Sequence, residues 1–294
     1  MRALAITILA VSLSALTMAQ APANPQGKKG GGGGRGNALS DKRPDLPANL
    51  FTSSSTVARS TMRHEWADIP MGKVKLHTWI EYPEGDGKAP VVLVMHHGPG
   101  LDDLERSVAD QLATEGFIAV APDLLSGFGP KGANYESFAF PDDAIRASVK
   151  VTADEALRRY KAARDYALKL PRANGKSASI GFDTGGTYSF RFAAEVPGLN
   201  AAVVFYGMPP EQSMLAEIHA PVLGLYGGDD DRVDSTIEPT QAAMKKLGKM
   251  YEAHVYPHAT HFFMVYAVEG ENGAAVAQAW PTTIAFLKQN MALQ

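Results

Sequence analysis

The sequence predicts an α/β fold in which helices cover both faces of a mostly parallel central sheet. Continuous apolar runs at residues 91–97, 117–125 and 201–207 are typical of strands that are buried on both faces. Segments with the periodicity of amphipathic helices separate these runs. Because strands that alternate with helices form βαβ units, most of the strands are expected to run parallel.

Seven segments have the pattern of a strand. The first alternates apolar and polar residues with period two and ends at the turn 85–88, so it is expected to form a hairpin-like strand that leads into the next one. The others are short apolar runs bounded by turn residues or charged groups. In chain order the predicted strands are residues 73–83, 91–97, 117–125, 179–182, 201–207, 221–227 and 251–257.

The helical patterns fall between the strands. Residues 102–116 form a pattern that Gly116 ends, and residues 142–170 form one long or two short amphipathic helices before Pro171. Further helices are expected after the strand 179–182, around residues 235–247 and near residues 273–290. In parallel sheets of this kind ligands bind at the carboxyl ends of the strands, so the polar residues that follow each strand are the candidates for a site.

The N-terminus has the pattern of an export signal. Arg2 precedes an apolar stretch, residues 3–16, that is short for a membrane span, and small residues near position 19 favour cleavage after Ala19. The signal peptide is therefore predicted at residues 1–19, and an uncleaved anchor is the alternative. This interpretation implies a secreted or periplasmic protein without stable membrane insertion after cleavage.

The remaining chain divides into a linker and one domain. Residues 20–50 are rich in Gly and Pro and poor in large apolar side chains, which predicts a disordered linker. Residues 51–294 are predicted to form the α/β domain, with residues 43–51 as a lead-in segment that packs on it. The segment 126–141 is a long Gly- and aromatic-rich loop that is expected to act as a lid.

Charge and composition exclude several classes of function. Residues 1–40 hold four basic and no acidic residues, so the rest of the chain has 24 basic against 31 acidic ones, a balance of −7. That balance argues against a nucleic-acid partner, which requires a clustered basic surface. The absence of cysteine excludes a disulfide, a thiol nucleophile and a lipid-modified N-terminal cysteine. The sequence carries no information about the oligomeric state.

The segment SASIGFDTGGTYSFRFAAE, residues 177–195, has the layout of a nucleophile elbow. In this motif Gly-x-nucleophile-x-Gly holds the reactive residue on a tight turn between a strand and a helix. The central position usually carries Ser or Cys, whereas here it is Asp183.

Two further strand ends carry candidate catalytic residues. Asp230 lies in YGGDDDRV after one buried strand, and His261 lies in YPHATHFF after the last strand. Nucleophile, acid and His follow one another in the chain order of α/β-hydrolases. Asp229 or Asp231 is an alternative to Asp230 as the acid.

From about Val74 to Leu293 the chain resembles the dienelactone hydrolase family of α/β-hydrolases. The resemblance rests above all on EGFIAVAPDLL at residues 115–125 and HATHFF at residues 258–263, together with the elbow. It implies the α/β-hydrolase fold, a small-molecule substrate and no organic cofactor. It assigns the nucleophile position to Asp183, the triad acid to Asp230 and the base to His261.

The same resemblance implies the surroundings of the triad. The backbone N–H groups of Thr184 and Gly98 correspond to the donors of the oxyanion hole, and His96 and His97 fall in the substrate pocket. The family normally has Cys or Ser at position 183 and Glu at position 97. Both departures fall in one pocket, which indicates a coordinated change or loss of chemistry.

A carboxylate at the elbow favours attack on saturated carbon. Attack of Asp183 on an ester would give an anhydride, which is less stable than the ester, whereas attack on an alkyl halide or epoxide gives an ordinary alkyl ester. His261, oriented by Asp230, would then activate water to hydrolyse that ester. Haloalkane dehalogenases and epoxide hydrolases resemble this arrangement at the elbow. A protonated His97 would stabilise the departing halide or alkoxide.

Three alternatives remain open from the sequence. Asp tolerates the positive φ of an elbow, so the domain is also compatible with a catalytically silent binding protein. An esterase or lactonase in which His261 acts directly on water is the second alternative. The third is a metal site, built from Asp183 and the histidines at the strand ends. Those histidines are His96, His97, His254, His258 and His261.

Overall fold

The computed structural model describes residues 43–98 and 100–293. The predicted signal peptide lies outside these residues, as does the predicted linker up to residue 42. The strands are β1 Arg63–Met71, β2 Val74–Tyr82, β3 Ala89–Met95, β4 Ile118–Pro122, β5 Ala173–Phe182, β6 Ala201–Phe205, β7 Val222–Gly227 and β8 Tyr251–Tyr256. The helices are α1 Ser53–Arg59, α2 Asp103–Thr114, α3 Pro141–Ser148, α4 Ala153–Ala167, α5 Thr184–Glu195, α6 Asp231–Asp234, α7 Ile237–Lys246 and α8 Gly270–Met291.

The strands form one eight-stranded sheet in the order β1-β2-β4-β3-β5-β6-β7-β8. The strands from β4 to β8 in this order pair parallel, and only β1 and β2 pair antiparallel with their neighbours. The predicted α/β-hydrolase class, a mostly parallel sheet with helices on both faces, is confirmed. Carboxyl ends of six strands therefore share one edge of the sheet, where ligands bind in such folds.

The core lies on both faces of the sheet, because successive side chains of a strand point to opposite faces. In β3, Val91, Leu93 and Met95 pack on one face, against α4 and α5. Val92 and Val94 pack on the other face, against α2 and α8. Burial on both faces explains why the central strands are apolar without alternation.

Some sequence-based expectations about the elements are wrong in detail. The segment 73–83 does not pair with the strand that follows it: β2 lies between β1 and β4. β1 was not predicted, because its sequence RHEWADIPM lacks a regular apolar alternation and only one of its nine residues, Ile69, is buried. The pattern at 142–170 divides into α3 and α4, since Thr152 caps α4 by accepting a hydrogen bond from the backbone of Glu155.

The domain begins earlier than the predicted boundary at residue 51. Leu46 is buried in the core beside Trp79, and the Asn49 side chain donates a hydrogen bond of 2.8 Å to the carbonyl of Ala267. The linker predicted at residues 20–50 therefore extends too far. Leu46 and Asn49 pack on the domain, as expected for the lead-in segment 43–51. None of the helices in the described ranges has the length and apolarity needed to cross a membrane.

The turn between β5 and α5 is a strained and tightly packed elbow. Asp183 has φ 52° and ψ −113°, a backbone conformation that residues other than glycine seldom adopt. A Cβ at Gly181 would lie 2.0 Å from the carbonyl oxygen of Gly185, and one at Gly185 would lie 2.1 Å from the carbonyl oxygen of Met95. Both glycines are thus required for α5 to start directly against β3.

We expect the substitution Gly185→Ala to lower the free energy of unfolding by about 3 kcal/mol, because the added methyl group overlaps backbone that cannot move aside. Urea unfolding followed by circular dichroism measures the change. Gly87→Ala is the matched control, since a Cβ at that turn meets no atom within 4 Å. Equal stabilities of the two variants would contradict this account of the elbow.

Candidate active site

Three side chains meet where β5, β7 and β8 end. Asp183 follows β5, Asp230 follows β7 and caps α6, and His261 lies in the loop after β8. The Nε2 atom of His261 lies 3.0 Å from Oδ1 of Asp183, and its Nδ1 atom makes a short hydrogen bond to Oδ2 of Asp230. The imidazole therefore lies between two carboxylates.

The neighbours of Asp230 in the DDD run are placed differently. Asp229 faces His258, with 3.8 Å between its carboxylate and the ring Nδ1. Asp231 is the first residue of α6. Of the three acids, Asp230 is the one that the structure brings to His261.

The electrostatics of this arrangement favour an ion pair. Burial alone would lower the pKa of His261, but its hydrogen bonds to Asp183 and Asp230 and their charges outweigh burial and raise it. Burial alone would raise the pKa of Asp183, but the hydrogen bond and charge of His261 lower it. Asp183 thus remains a carboxylate, and a quarter of its side chain is exposed and open to a substrate.

The second oxygen of Asp183 faces the start of α5. The Thr184 hydroxyl donates a hydrogen bond of 3.2 Å to Oδ2 of Asp183, and the Thr184 backbone N–H also lowers the pKa of this carboxyl. Thr184 and Gly98, the two predicted oxyanion donors, line one cleft of about 260 Å³. Thr184 therefore provides donors beside the Asp183 carboxylate, where charge would develop.

Both polar and apolar side chains line the cleft. Besides His96, His97, Gly98 and Thr184, its lining residues are Leu124, Leu125, Ser148, Val149, Val151 and Tyr188. Residues 126–141, the expected lid, do not line it. The turn after α3, with Val149 and Val151, lines the cleft instead. Within the expected lid, the backbone N–H of Tyr135 donates a hydrogen bond to Asp123, which anchors the loop outside the cleft lining.

The two histidines after β3 differ in their bonding. His96 is buried, its Nδ1 lies 2.7 Å from the carbonyl of His97, and its Nε2 accepts from the backbone N–H of Leu124. Burial lowers the pKa of His96, so the ring is neutral and both of its nitrogens are used within the protein. Its place in the predicted pocket is therefore that of a wall and not of a free donor.

His97 is paired with an acid that the sequence analysis did not identify. Its Nδ1 makes a short hydrogen bond to Oε1 of Glu105, which is almost completely buried. Burial would lower the pKa of His97, but the charge of Glu105 outweighs it and raises the pKa to about 9. The same pairing lowers the pKa of Glu105 to about 2 against the effect of burial. His97 is thus an imidazolium at neutral pH.

Tyr206 is a second residue that the sequence analysis missed. It follows β6 with φ 43°, and its ring lies 5.1 Å from the ring of His261. Phe262 contacts the same imidazole at 4.5 Å. The Tyr206 hydroxyl is buried and has no hydrogen-bond partner within the described part of the chain. A bulky residue directly after a strand of this sheet was the available signal.

The histidines do not gather into a metal site. His254 pairs with Glu252, His258 faces Asp229 and His261 pairs with Asp183 and Asp230. Across residues 43–98 and 100–293, no group of three or more potential ligands has the geometry to hold a metal ion. The metal alternative therefore has no geometric support among these residues.

Comparison with known proteins identifies the family. The sequence model of the dienelactone hydrolase family matches residues 76–291, which is most of the chain. The chain belongs to the dienelactone hydrolase family. The resemblance found in the sequence is thus confirmed at the level of the family.

Individual relatives agree with this assignment. The chain is 32% identical over 228 residues to protein usf of Aquifex pyrophilus, covering 74% of this chain and 94% of that protein. It is 28% identical over 245 residues to the "Putative carboxymethylenebutenolidase" of Saccharolobus solfataricus, covering 73% and 94%. Among solved structures, a dienelactone hydrolase-like promiscuous phosphotriesterase from metagenomic libraries shares the fold, with a TM-score of 0.63, 24% identity and coverage of 78% and 98%.

The ion pair of this family member predicts how His261 titrates. Replacing Asp183 by Asn removes one of the two carboxylates that raise the pKa of His261, so we expect the pKa to fall. Titration of the His261 ring by NMR measures it. Asp154→Asn is the control, because Asp154 pairs with Arg191 and not with His261.

The sign of the linked stability follows from the same shifts. The pair contributes stability above the ordinary carboxyl pKa and below the ordinary imidazole pKa. The contribution is lost as pH falls through the lowered pKa of Asp183 or rises through the raised pKa of His261. A His261 pKa that is the same in the wild type and in Asp183→Asn would contradict the pairing.

Proposed function

We propose that this chain is a hydrolase that cleaves a small alkyl electrophile, a halide or an epoxide, through an alkyl ester of Asp183. The observation that carries the proposal is the contact of His261 with a carboxylate at the elbow on one side and with Asp230 on the other. A Ser or Cys nucleophile needs a base to remove its proton, whereas Asp183 is already ionised.

In the first step Asp183 attacks a saturated carbon. An oxygen of its carboxylate forms the C–O bond of an ester, and the bond between that carbon and the leaving halide or oxygen breaks. The chemistry suits a carboxylate because the product is an ordinary ester, whereas attack on a lactone carbonyl would give the less stable anhydride. The partial exposure of Asp183, next to Thr184 of the cleft lining, supports access of the substrate.

In the second step His261 acts as the general base. Esterification removes the negative charge of Asp183, which is one of the two charges that raise the pKa of His261, so the pKa falls and the ring releases its proton to solvent. The neutral ring takes a proton from water, which attacks the ester carbonyl of Asp183. The N–H groups of Thr184 and Gly98 then stabilise the oxyanion, and Asp230 stabilises the imidazolium.

A second candidate function is lactone or ester hydrolysis. It is favoured by relatives whose names denote a carboxymethylenebutenolidase and, in a Bradyrhizobium species, a 2-oxo-3-(5-oxofuran-2-ylidene)propanoate lactonase. In this case His261 would activate water directly against the substrate and Asp183 would only hold the ring. The identity of the atom that water attacks distinguishes the two functions.

We also propose that the domain acts after export, because of the signal pattern at residues 1–19. The proposed domain then follows the Gly- and Pro-rich segment and starts near Leu46, which is buried in the core. N-terminal sequencing of the exported chain tests the expected cleavage after Ala19. A mature chain that retains Met1 would contradict it.

Turnover in heavy-oxygen water tests the ester of Asp183. Haloacids, epoxides, lactones and activated esters are supplied in turn, and the peptide that contains Asp183 is then analysed by mass spectrometry. We expect heavy oxygen to enter Asp183, because water attacks the ester carbonyl and its oxygen stays in the carboxylate. Asp183→Asn and His261→Gln should abolish turnover, whereas His254→Gln, on an exposed histidine, is the control.

Each contrary outcome of this experiment points to one alternative. Turnover without label in Asp183 would exclude the alkyl ester and favour direct attack of water on an ester or lactone. The absence of turnover with every class of substrate would favour a silent binding protein.

A further inference from the structure

The cleft contains a second histidine–carboxylate pair that the mechanism above does not use. The Nδ1 atom of His97 bonds to Glu105, and Glu105 also accepts from the backbone N–H of His97 at 3.3 Å and of Asp102 at 3.4 Å. Asp102 and Glu105 form the capping box of α2, in which the Asp102 side chain accepts from Leu104. The N-terminal turn of α2 thus holds the buried carboxylate of Glu105 against Nδ1 of His97.

The strands place this pair opposite Asp183. β3 and β5 are neighbours, and Met95 of β3 is in register with Gly181 of β5. His97 and Asp183 are each the second residue after that pair, so they leave adjacent strands at the same level, about 4.8 Å apart in strand spacing. Both the loop of His97 and the start of α5 line the same cleft.

Nε2 is the ring nitrogen of His97 that is left for a ligand in the cleft. Its Nδ1 is bonded to Glu105, whereas no hydrogen bond of its Nε2 occurs within the described residues. The His97 side chain lines the cleft and is 12% exposed, which leaves this nitrogen for a substrate. With Nδ1–H donated to Glu105, Nε2–H is a second donor, directed to a substrate that occupies the cleft.

The charges around His97 keep this donor protonated. The groups that act on it are the carboxyls of Glu105, Asp102 and Asp183 and the neutral ring of His96. Burial and the repulsion of Glu105 raise the pKa of Asp102 to about 8, so Asp102 is mostly uncharged at neutral pH. Three uncharged tyrosines also experience the charge of Glu105: the half-buried Tyr135 and the buried Tyr160 and Tyr206.

We propose that His97, held by Glu105, is the acid that protonates a leaving oxygen, and that the substrate class of this site is therefore an epoxide. This inference rests on the proposed alkyl ester of Asp183. An alkoxide is a poor leaving group without a proton, whereas a halide departs as a stable anion. Transfer of a proton opposite the nucleophile is thus required for an epoxide, whereas a halide needs at most a hydrogen bond.

The reaction balances with water as the only co-substrate. An oxygen of Asp183 bonds to a ring carbon, the C–O bond of the epoxide breaks, and the ring oxygen takes the proton from Nε2 of His97. Water then attacks the carbonyl of the resulting hydroxyalkyl ester while His261 takes one of its protons. Collapse of the adduct breaks the bond between the carbonyl carbon and the diol oxygen, and that oxygen takes the remaining proton of the attacking water. His261 keeps the proton that it took from water and pairs again with the restored Asp183 carboxylate, while His97 regains from solvent the proton that His261 released on esterification.

Paired substrates test the role of His97. The values of kcat/KM are measured for propylene oxide and propyl bromide and for styrene oxide and phenethyl bromide. We expect His97→Gln to lower the epoxide-to-bromide ratio of kcat/KM by about 100-fold or more, the range of a lost general acid. In the wild type, kcat/KM for the epoxides should fall as pH rises through about 9, the pKa of His97.

Glu105→Gln provides a second test in case His97→Gln fails to fold. It keeps the shape of the side chain and removes the charge, so the fall of kcat/KM for the epoxides should move to lower pH. His254→Gln, at an exposed histidine paired with Glu252, is the matched control and should change neither ratio nor pH profile.

The outcomes separate this inference from the proposed function. If the wild type converts bromides but not epoxides, or if His97→Gln lowers both rates equally, the acid role is overturned and the alkyl ester of Asp183 stands. If the wild type converts neither class, the proposed function fails and this inference fails with it.

Discussion

The candidate site depends on one interaction, the contact of the His261 imidazole with two carboxylates at the carboxyl edge of the sheet. Parallel strands make the contact possible because β5, β7 and β8 end at the same edge and each delivers one of the three side chains. The elbow holds Asp183 at a positive φ, and its carboxylate meets His261 directly before Thr184, which lines the cleft. Gly181 and Gly185 allow the chain to turn there without overlap.

A second constraint is that buried or half-buried acids raise the pKa of two imidazoles, those of His261 and His97. His261 owes its raised pKa to Asp183 and Asp230, and His97 owes its own to Glu105. The two rings respond differently to esterification of Asp183. His261 loses a direct partner and becomes a base, whereas His97 keeps Glu105 beside it and can be protonated again for the next turnover. Separate carboxylates thus support the base and the acid of the proposed reaction.

Much of this was accessible from the sequence, since the evidence was local. Short stretches of sequence show the glycines around Asp183, the apolar strands and the polar residues that follow them. The order of Asp183, Asp230 and His261 then matches that of α/β-hydrolases. Glu105 was not, because its sequence context describes a capping box and only the packing of α2 beneath the loop after β3 brings it to His97. The pairing of β2 with β1 was missed for a similar reason, as nothing local specifies the neighbours of a strand.

The accumulation of an alkylated enzyme tests the central claim most directly. The variant His261→Gln lacks the base for the second step, so its exposure to an alkyl electrophile should trap the ester. Intact mass followed by peptide mapping then measures the adduct. The account predicts one alkyl group for each chain, located on Asp183 and absent from the double variant that also carries Asp183→Asn. An unmodified chain, or an adduct located on another residue, would contradict it.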